Sequence, residues 1–255
     1  MAQSVDYAAR RRPSVHADAA ASARAIMRLE QSIPDSTWIR AWARWHTGAM
    51  LAAVIAVCWC WAAWPLAAIA LVSFVAFVAL GRPIWGRHRP LGGYANWVTA
   101  LRLAGVLGLG FLGPALPPLV IGVSAAVLVT IDGLDGYLAR KYDTASEFGL
   151  YFDMETDALQ VCILSALTCF VGEIPAAILL IGFMRYLFVA ATNLLRVGHK
   201  QEPRFFLARF AAVFIQYSLA AVFLLPPVVH LPAVALASAL ILYSFGRSTY
   251  YAVTL

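Results

Sequence analysis

The chain has 255 residues, of which 62% are hydrophobic and only 13% charged, and its mean hydropathy is +0.76. These proportions exclude an ordinary water-soluble domain, because long apolar runs are the signature of membrane helices. The net charge of +6 comes from basic residues dispersed along one membrane face, which suits topology and anionic headgroups and argues against nucleic-acid binding.

Residues 1–46 open on MAQSVDYAARRRPSV and lack the apolar core of a secretory signal. Asp6, Asp18 and Glu30 set this tail apart from a transit peptide. In STWIRAWARWHTG, Trp38, Trp42 and Trp45 recur at helical spacing, with Arg40 and Arg44 on another face. That pattern predicts a helix lying at the bilayer interface, or a lead-in to the first span.

Eight apolar segments follow, at 47–63, 65–81, 96–113, 118–140, 148–171, 176–195, 205–225 and 232–247. The first two form one apolar stretch, Met50 to Leu80, interrupted by Trp64-Pro65, so a hairpin or one kinked helix would both fit. Charge favours the hairpin. Sixteen of the 19 Lys/Arg fall in the tail, the 82–95 link, the Arg140-Lys141 turn, the 196–204 link and the C-terminus. The connections on the other side carry none. By the positive-inside rule both termini then lie in the cytoplasm, with an even number of crossings. The expected fold is therefore an all-α polytopic membrane helix bundle. Cys58, Cys60, Cys162 and Cys169 lie in apolar runs and read as small packing residues.

The informative stretch is DGLDGYLARKYDTASEFGLYFDMETDA, residues 132–158. Asp132, Asp135, Gly136 and Ala139 share one face of a helix, and Gly149, Asp153 and Asp157 share a face of the next. The short polar link between them makes the two helices antiparallel neighbours, so four carboxylates converge. Charges at bilayer depth cost kilocalories each unless paired, hydrated or bound to a cation. Hard divalent ions, Mg²⁺ or Mn²⁺, prefer carboxylate oxygens and bridge phosphates, and two of them could clamp a phosphoryl group. Gly133, Gly136, Ala139 and Gly149 leave the helix surfaces bare for a bulky ligand, and Arg140 is placed to meet a phosphate oxygen. The plainer alternative is that the aspartates pair with arginines or cap helices, the role assigned to Asp143 and Glu147. An EF-hand is excluded, because its third position would be Leu134.

The spacing Asp132-Gly133-Leu134-Asp135-Gly136-x-x-Ala139-Arg140, then eight residues, then Gly149-x-x-x-Asp153-x-x-x-Asp157, resembles the signature of the CDP-alcohol phosphatidyltransferase family at every fixed position. NWVTALR, with Asn96, Thr99 and Arg102, looks like the family's motif opening the first core helix. The resemblance implies a six-helix core over 96–255, preceded by the tail at 1–46 and by the hairpin and basic link at 47–95. It implies attack by a small alcohol on a CDP-linked donor, usually CDP-diacylglycerol, with CMP leaving. Asp132, Asp135 and Asp153 would be metal ligands, and Asp157 the general base, also able to touch metal. Asn96, Thr99, Gly136, Ala139, Arg140 and Gly149 would hold the CDP portion. The family often dimerises, so a homodimer within the lipid is open to this chain, and the bacterial inner membrane is the expected location.

The acceptor is less legible. Arg185, inside an apolar helix, would line a cavity and favour a phosphorylated alcohol, or else pair with Glu155 or Asp157. Arg196 is a second acceptor candidate, otherwise a topology determinant. ALQVCILSALTCF, after Asp157, lacks the polar features of serine-using enzymes. Two further classes compete. Intramembrane prenyltransferases carry aspartate-rich motifs, but far apart in the chain. A non-catalytic membrane protein or transporter would show decayed motifs or an internal repeat, and neither is seen.

Overall fold

The computed structural model of the protein describes residues 37–85, 91–142, 146–194 and 206–254, with side chains of 134–141, 206–209, 248 and 251–254 outside the description. All but Thr37 fall in one compact unit, Trp38–Leu255. Its α-helices are α1 Thr37–Cys60, α2 Trp64–Gly81, α3 Tyr94–Leu112, α4 Pro118–Lys141, α5 Glu147–Phe170, α6 Ile178–Gly182, α7 Met184–Leu194, α8 Phe206–Ala221 and α9 Pro227–Thr254. No strand occurs among the described residues. The protein is an all-α polytopic helix bundle.

Among the described residues, four helical stretches are long and apolar enough by themselves to cross a membrane: Thr37–Cys60, Trp64–Trp85, Tyr94–Ala115 and Pro227–Arg247. The sixth expected span is broken in two at Phe183, beside which the Gly182 carbonyl accepts a hydrogen bond from the Cys162 thiol at 2.9 Å. Large apolar side chains such as Ile55, Val72, Leu101 and Leu236 stand exposed on the outer faces, as expected of a surface solvated by lipid.

Trp61 takes a positive φ of 48° in the turn after Cys60, and Pro65 sits in the first turn of α2, where its missing N–H costs nothing. The chain then folds back. Trp38 meets Phe77 with ring centroids 5.6 Å apart, and the Trp42 indole N–H donates to the Ser73 carbonyl at 3.0 Å. Residues 47–81 therefore form a hairpin rather than one kinked helix. Residues 37–46 continue unbroken into α1, with Trp42 buried inside and Trp45 exposed, so this stretch is the lead-in of the first helix.

α5 is the axis of the bundle. Nearly every residue from Ala158 to Cys169 is buried, the mark of a helix enclosed on all sides. It packs against α2, α3, α6 and α8. Small residues permit the approach: a Cβ at Gly110 of α3 would lie 2.7 Å from Ala67 of α2 and 2.9 Å from Ile163 of α5, the close-packing device of helices in lipid.

Candidate active site

Three helices deliver the charged residues to one place. The α3 face bearing Asn96, Thr99 and Arg102, spaced three apart, turns toward α5, and all three are buried. Asn96 donates from Nδ2 to the Leu91 carbonyl at 2.6 Å, tying the Gly92-Gly93 turn to the start of α3. Those glycines have φ of 79° and 132°, a region that side chains with a Cβ avoid. α5 starts at Ser146, whose hydroxyl accepts from the Gly149 N–H at 3.0 Å, satisfying one of the amides left unpaired at a helix start. A Cβ at Gly149 would sit 2.7 Å from Asn96 Oδ1, so any side chain here would have to push the Asn96 amide aside.

Six residues along α3 from Asn96, Arg102 is the centre of the site. Its guanidinium, with no solvent exposure, reaches Asp132 of α4 from Nη1 at 2.5 Å and Asp153 of α5 from the same nitrogen at 2.8 Å. Nη2 donates to Asp157 Oδ1. The carboxylate side chains keep 18%, 36% and 30% of their exposure respectively. The arginine is thus sealed beneath a carboxylate rim that opens outward. One oxygen from each of Asp132, Asp153 and Asp157 falls within 4.8 Å of the others.

This donor set fits a hard divalent cation. It is all oxygen, and among the described residues three carboxylates gather around the Arg102 guanidinium, a setting suited to a hard cation. Asp135, Gly136, Ala139 and Arg140 lie on the last turns of α4, their side chains outside the described residues. Among the described residues, nothing lies within 4 Å of the place a Gly133 Cβ would occupy. Thr99 donates to the Ala95 carbonyl at 3.3 Å, on the same α3 face as Asn96.

Of the two candidate acceptor residues, the structure describes Arg185. Arg196 is outside the described residues. Arg185 grips Glu155 through Nε at 3.3 Å and Nη2 at 2.5 Å, the pairing role that the sequence left open. Glu155 lies between Asp153 and Asp157 in sequence, hence about 200° around the helix from each, on the back of the aspartate face. Sequence reading passed over two residues here. Arg102 belongs to the NWVTALR motif but carries no assigned role in the sequence reading, and its placement at bilayer depth is the available signal. His46, buried against Glu155 with Nε2 3.9 Å from Oε2, gave no signal, being 109 residues away along the chain.

A protein-family model described as CDP-alcohol phosphatidyltransferase matches residues 93–245, more than half the chain. No curated protein and no solved structure gives a match. The matched segment runs from the Gly93 turn through α8 into α9 and leaves α1 and α2 outside it.

Proposed function

Because the chain belongs to the CDP-alcohol phosphatidyltransferase family, we propose that it transfers a phosphatidyl group from CDP-diacylglycerol to the hydroxyl of a small alcohol, releasing CMP. The observation that carries this reading is the meeting of Asp132, Asp153 and Asp157 from two helices around Arg102, at the family's spacing. Asp132, Asp135, Asp153 and Asp157 would hold Mg²⁺ or Mn²⁺. Such ions, when bound, offset the pyrophosphate charge and stabilise the departing CMP.

The remaining work belongs to the chain. Asp157 takes the proton of the acceptor hydroxyl as its oxygen bonds to the lipid-bearing phosphorus and the bond to the CMP oxygen breaks. Arg102 holds Asp157 Oδ1, so the base is oriented before substrate arrives. Asn96, Thr99, Gly136, Ala139, Arg140 and Gly149 cradle the CDP moiety, and the bare surface at Gly133 gives it room. The acyl chains leave sideways between helices, which is the physical reason for housing this chemistry in a membrane. The basic links put the site on the cytoplasmic side.

The test supplies purified protein in detergent with CDP-diacylglycerol, Mg²⁺ or Mn²⁺ and a panel of alcohols, phosphorylated ones included. CMP should appear with one acceptor and cease with chelator. Silence toward every alcohol, with consumption of a prenyl diphosphate instead, would replace this reading with prenyl transfer.

A further inference from the structure

The back of α5 carries a polar network that the proposed reaction does not use. Glu155, 3% exposed, is gripped by Arg185 from α7. His46 of α1 stands beside the same carboxylate. The His46 ring bonds Ser73 Oγ of α2 through Nδ1 at 2.7 Å, and its Nε2 lies 3.4 Å from the Tyr186 hydroxyl and 3.9 Å from Glu155 Oε2. Trp42 stacks on the imidazole at 4.7 Å with 16° between planes, and Phe74 and Tyr186 present their edges to it. Residues of α1 and α7 thus meet the α5 carboxylate and α2 joins through His46, and two of these helices, α1 and α2, lie outside the family-matched segment.

An ion pair buried on that face is an expensive way to fill space, since apolar side chains of similar size usually pack at lower cost. What the pair supplies is direction. The rings around it, Phe77 stacked on Phe148 at 4.7 Å among them, would tolerate small rotations of α5; a bidentate arginine and a fixed imidazole would not. The lever is large. With carboxylate oxygens roughly 6 Å from the helix axis, a rotation of about 15° moves them by about 1.5 Å, well beyond the half-ångström or so that a site tolerates.

We propose that His46 is a positioning residue of the reaction centre: the N-terminal hairpin, through His46, Ser73 and Glu155, sets the rotation of α5 and so the geometry of Asp153 and Asp157. This rests on the metal-dependent reading of the aspartate cluster, and the experiment separates the two. Full-length protein in detergent micelles is titrated with Mn²⁺ alone, and free Mn²⁺ is followed by electron paramagnetic resonance. Steady-state kinetics are then measured at saturating Mn²⁺.

His46→Ala should weaken Mn²⁺ binding about ten- to a hundredfold, the usual effect of losing a group that orients a metal ligand. It should lower kcat while leaving KM for the lipid donor within about twofold of wild type, the pattern expected when the interaction lost matters chiefly beyond the bound state. His46→Gln, which can still reach Glu155 and Tyr186 with its amide, should recover most of the affinity. Wild-type Mn²⁺ affinity in His46→Ala would overturn the proposal. So would equal losses in the Ala and Gln variants, because a polar group reaching Glu155 and Tyr186 would then not be what sets the geometry. If His46→Ala does not fold, Ser73→Ala carries the test: a loss of about threefold or more supports the proposal, and an unchanged titration overturns it. Asp153→Asn is the control for the underlying reading. If it binds Mn²⁺ like wild type, the cluster is not the metal site, and the failure lies there rather than with His46.

Discussion

Arg102→Met removes a guanidinium that three carboxylates share while keeping most of the side chain's length. Breaking a fully buried ion pair by deleting one partner costs about 3–5 kcal/mol, because the other charge is left uncompensated. Here the carboxylates retain 18–36% of their exposure, so water recovers part of that cost and about 2 kcal/mol is the expected loss. For a chain of this size each kcal/mol moves the thermal midpoint by about 2–4 °C, giving a drop of about 4–8 °C. The assay is thermal unfolding in detergent at one scan rate, first with EDTA and then across a Mn²⁺ series. In EDTA the variant should melt below wild type by that margin. Mn²⁺ should close at least half the gap, since a bound cation supplies the missing positive charge and stabilises by mass action. Equal midpoints in EDTA would refute the central placement of Arg102. A gap that Mn²⁺ leaves unchanged would refute the claim that guanidinium and cation answer to the same carboxylates.

Three other outcomes follow from the same geometry. Asp157→Asn should cut turnover by about 10²–10⁴-fold while a fluorescent CDP-lipid still binds; full activity would remove Asp157 as the base. Gly149→Ala places a methyl 2.7 Å from Asn96 Oδ1 and must displace that amide, so kcat/KM should fall by up to about a hundredfold with the helical circular dichroism unchanged. Glu155→Gln and Arg185→Gln should each destabilise the protein, and the double variant should cost less than their sum by about 2 kcal/mol in a thermal double-mutant cycle. Additive losses would mean that the pair is not coupled.

Much of this molecule was legible from its sequence because two signals are local. Apolar runs mark helices whatever they pack against, and the eight expected segments coincide with α1, α2, α3, α4, α5, the α6–α7 pair, α8 and α9. Aspartates three or four apart share a helix face, and Asp153 and Asp157 meet Asp132 as that spacing implies. The missed features depend on the relation between distant helices. Nothing local says that α3 is rotated so that Arg102, rather than Trp97 or Leu101, points at α5. His46 reaches Glu155 only because α1 folds back over α2 and both lie on the central helix. At the break near Phe183, Gly182 likewise takes its hydrogen bond from Cys162 of another helix. Arg185 was ambiguous for the same reason, and its partner became clear only once α7 was set beside the back of α5.

The central claim, that these aspartates move a phosphatidyl group to an alcohol, is tested most directly by phosphorus nuclear magnetic resonance of a complete reaction. With CDP-diacylglycerol, Mg²⁺ and the acceptor found in the panel, the pyrophosphate signals should be replaced by one CMP signal and one new lipid phosphodiester signal in equal amounts. Asp153→Asn protein should leave the pyrophosphate signals as they were. Phosphatidic acid appearing beside CMP would mean that water is the acceptor, and product formation undiminished by Asp153→Asn would mean that the chemistry lies elsewhere; either result would contradict the account.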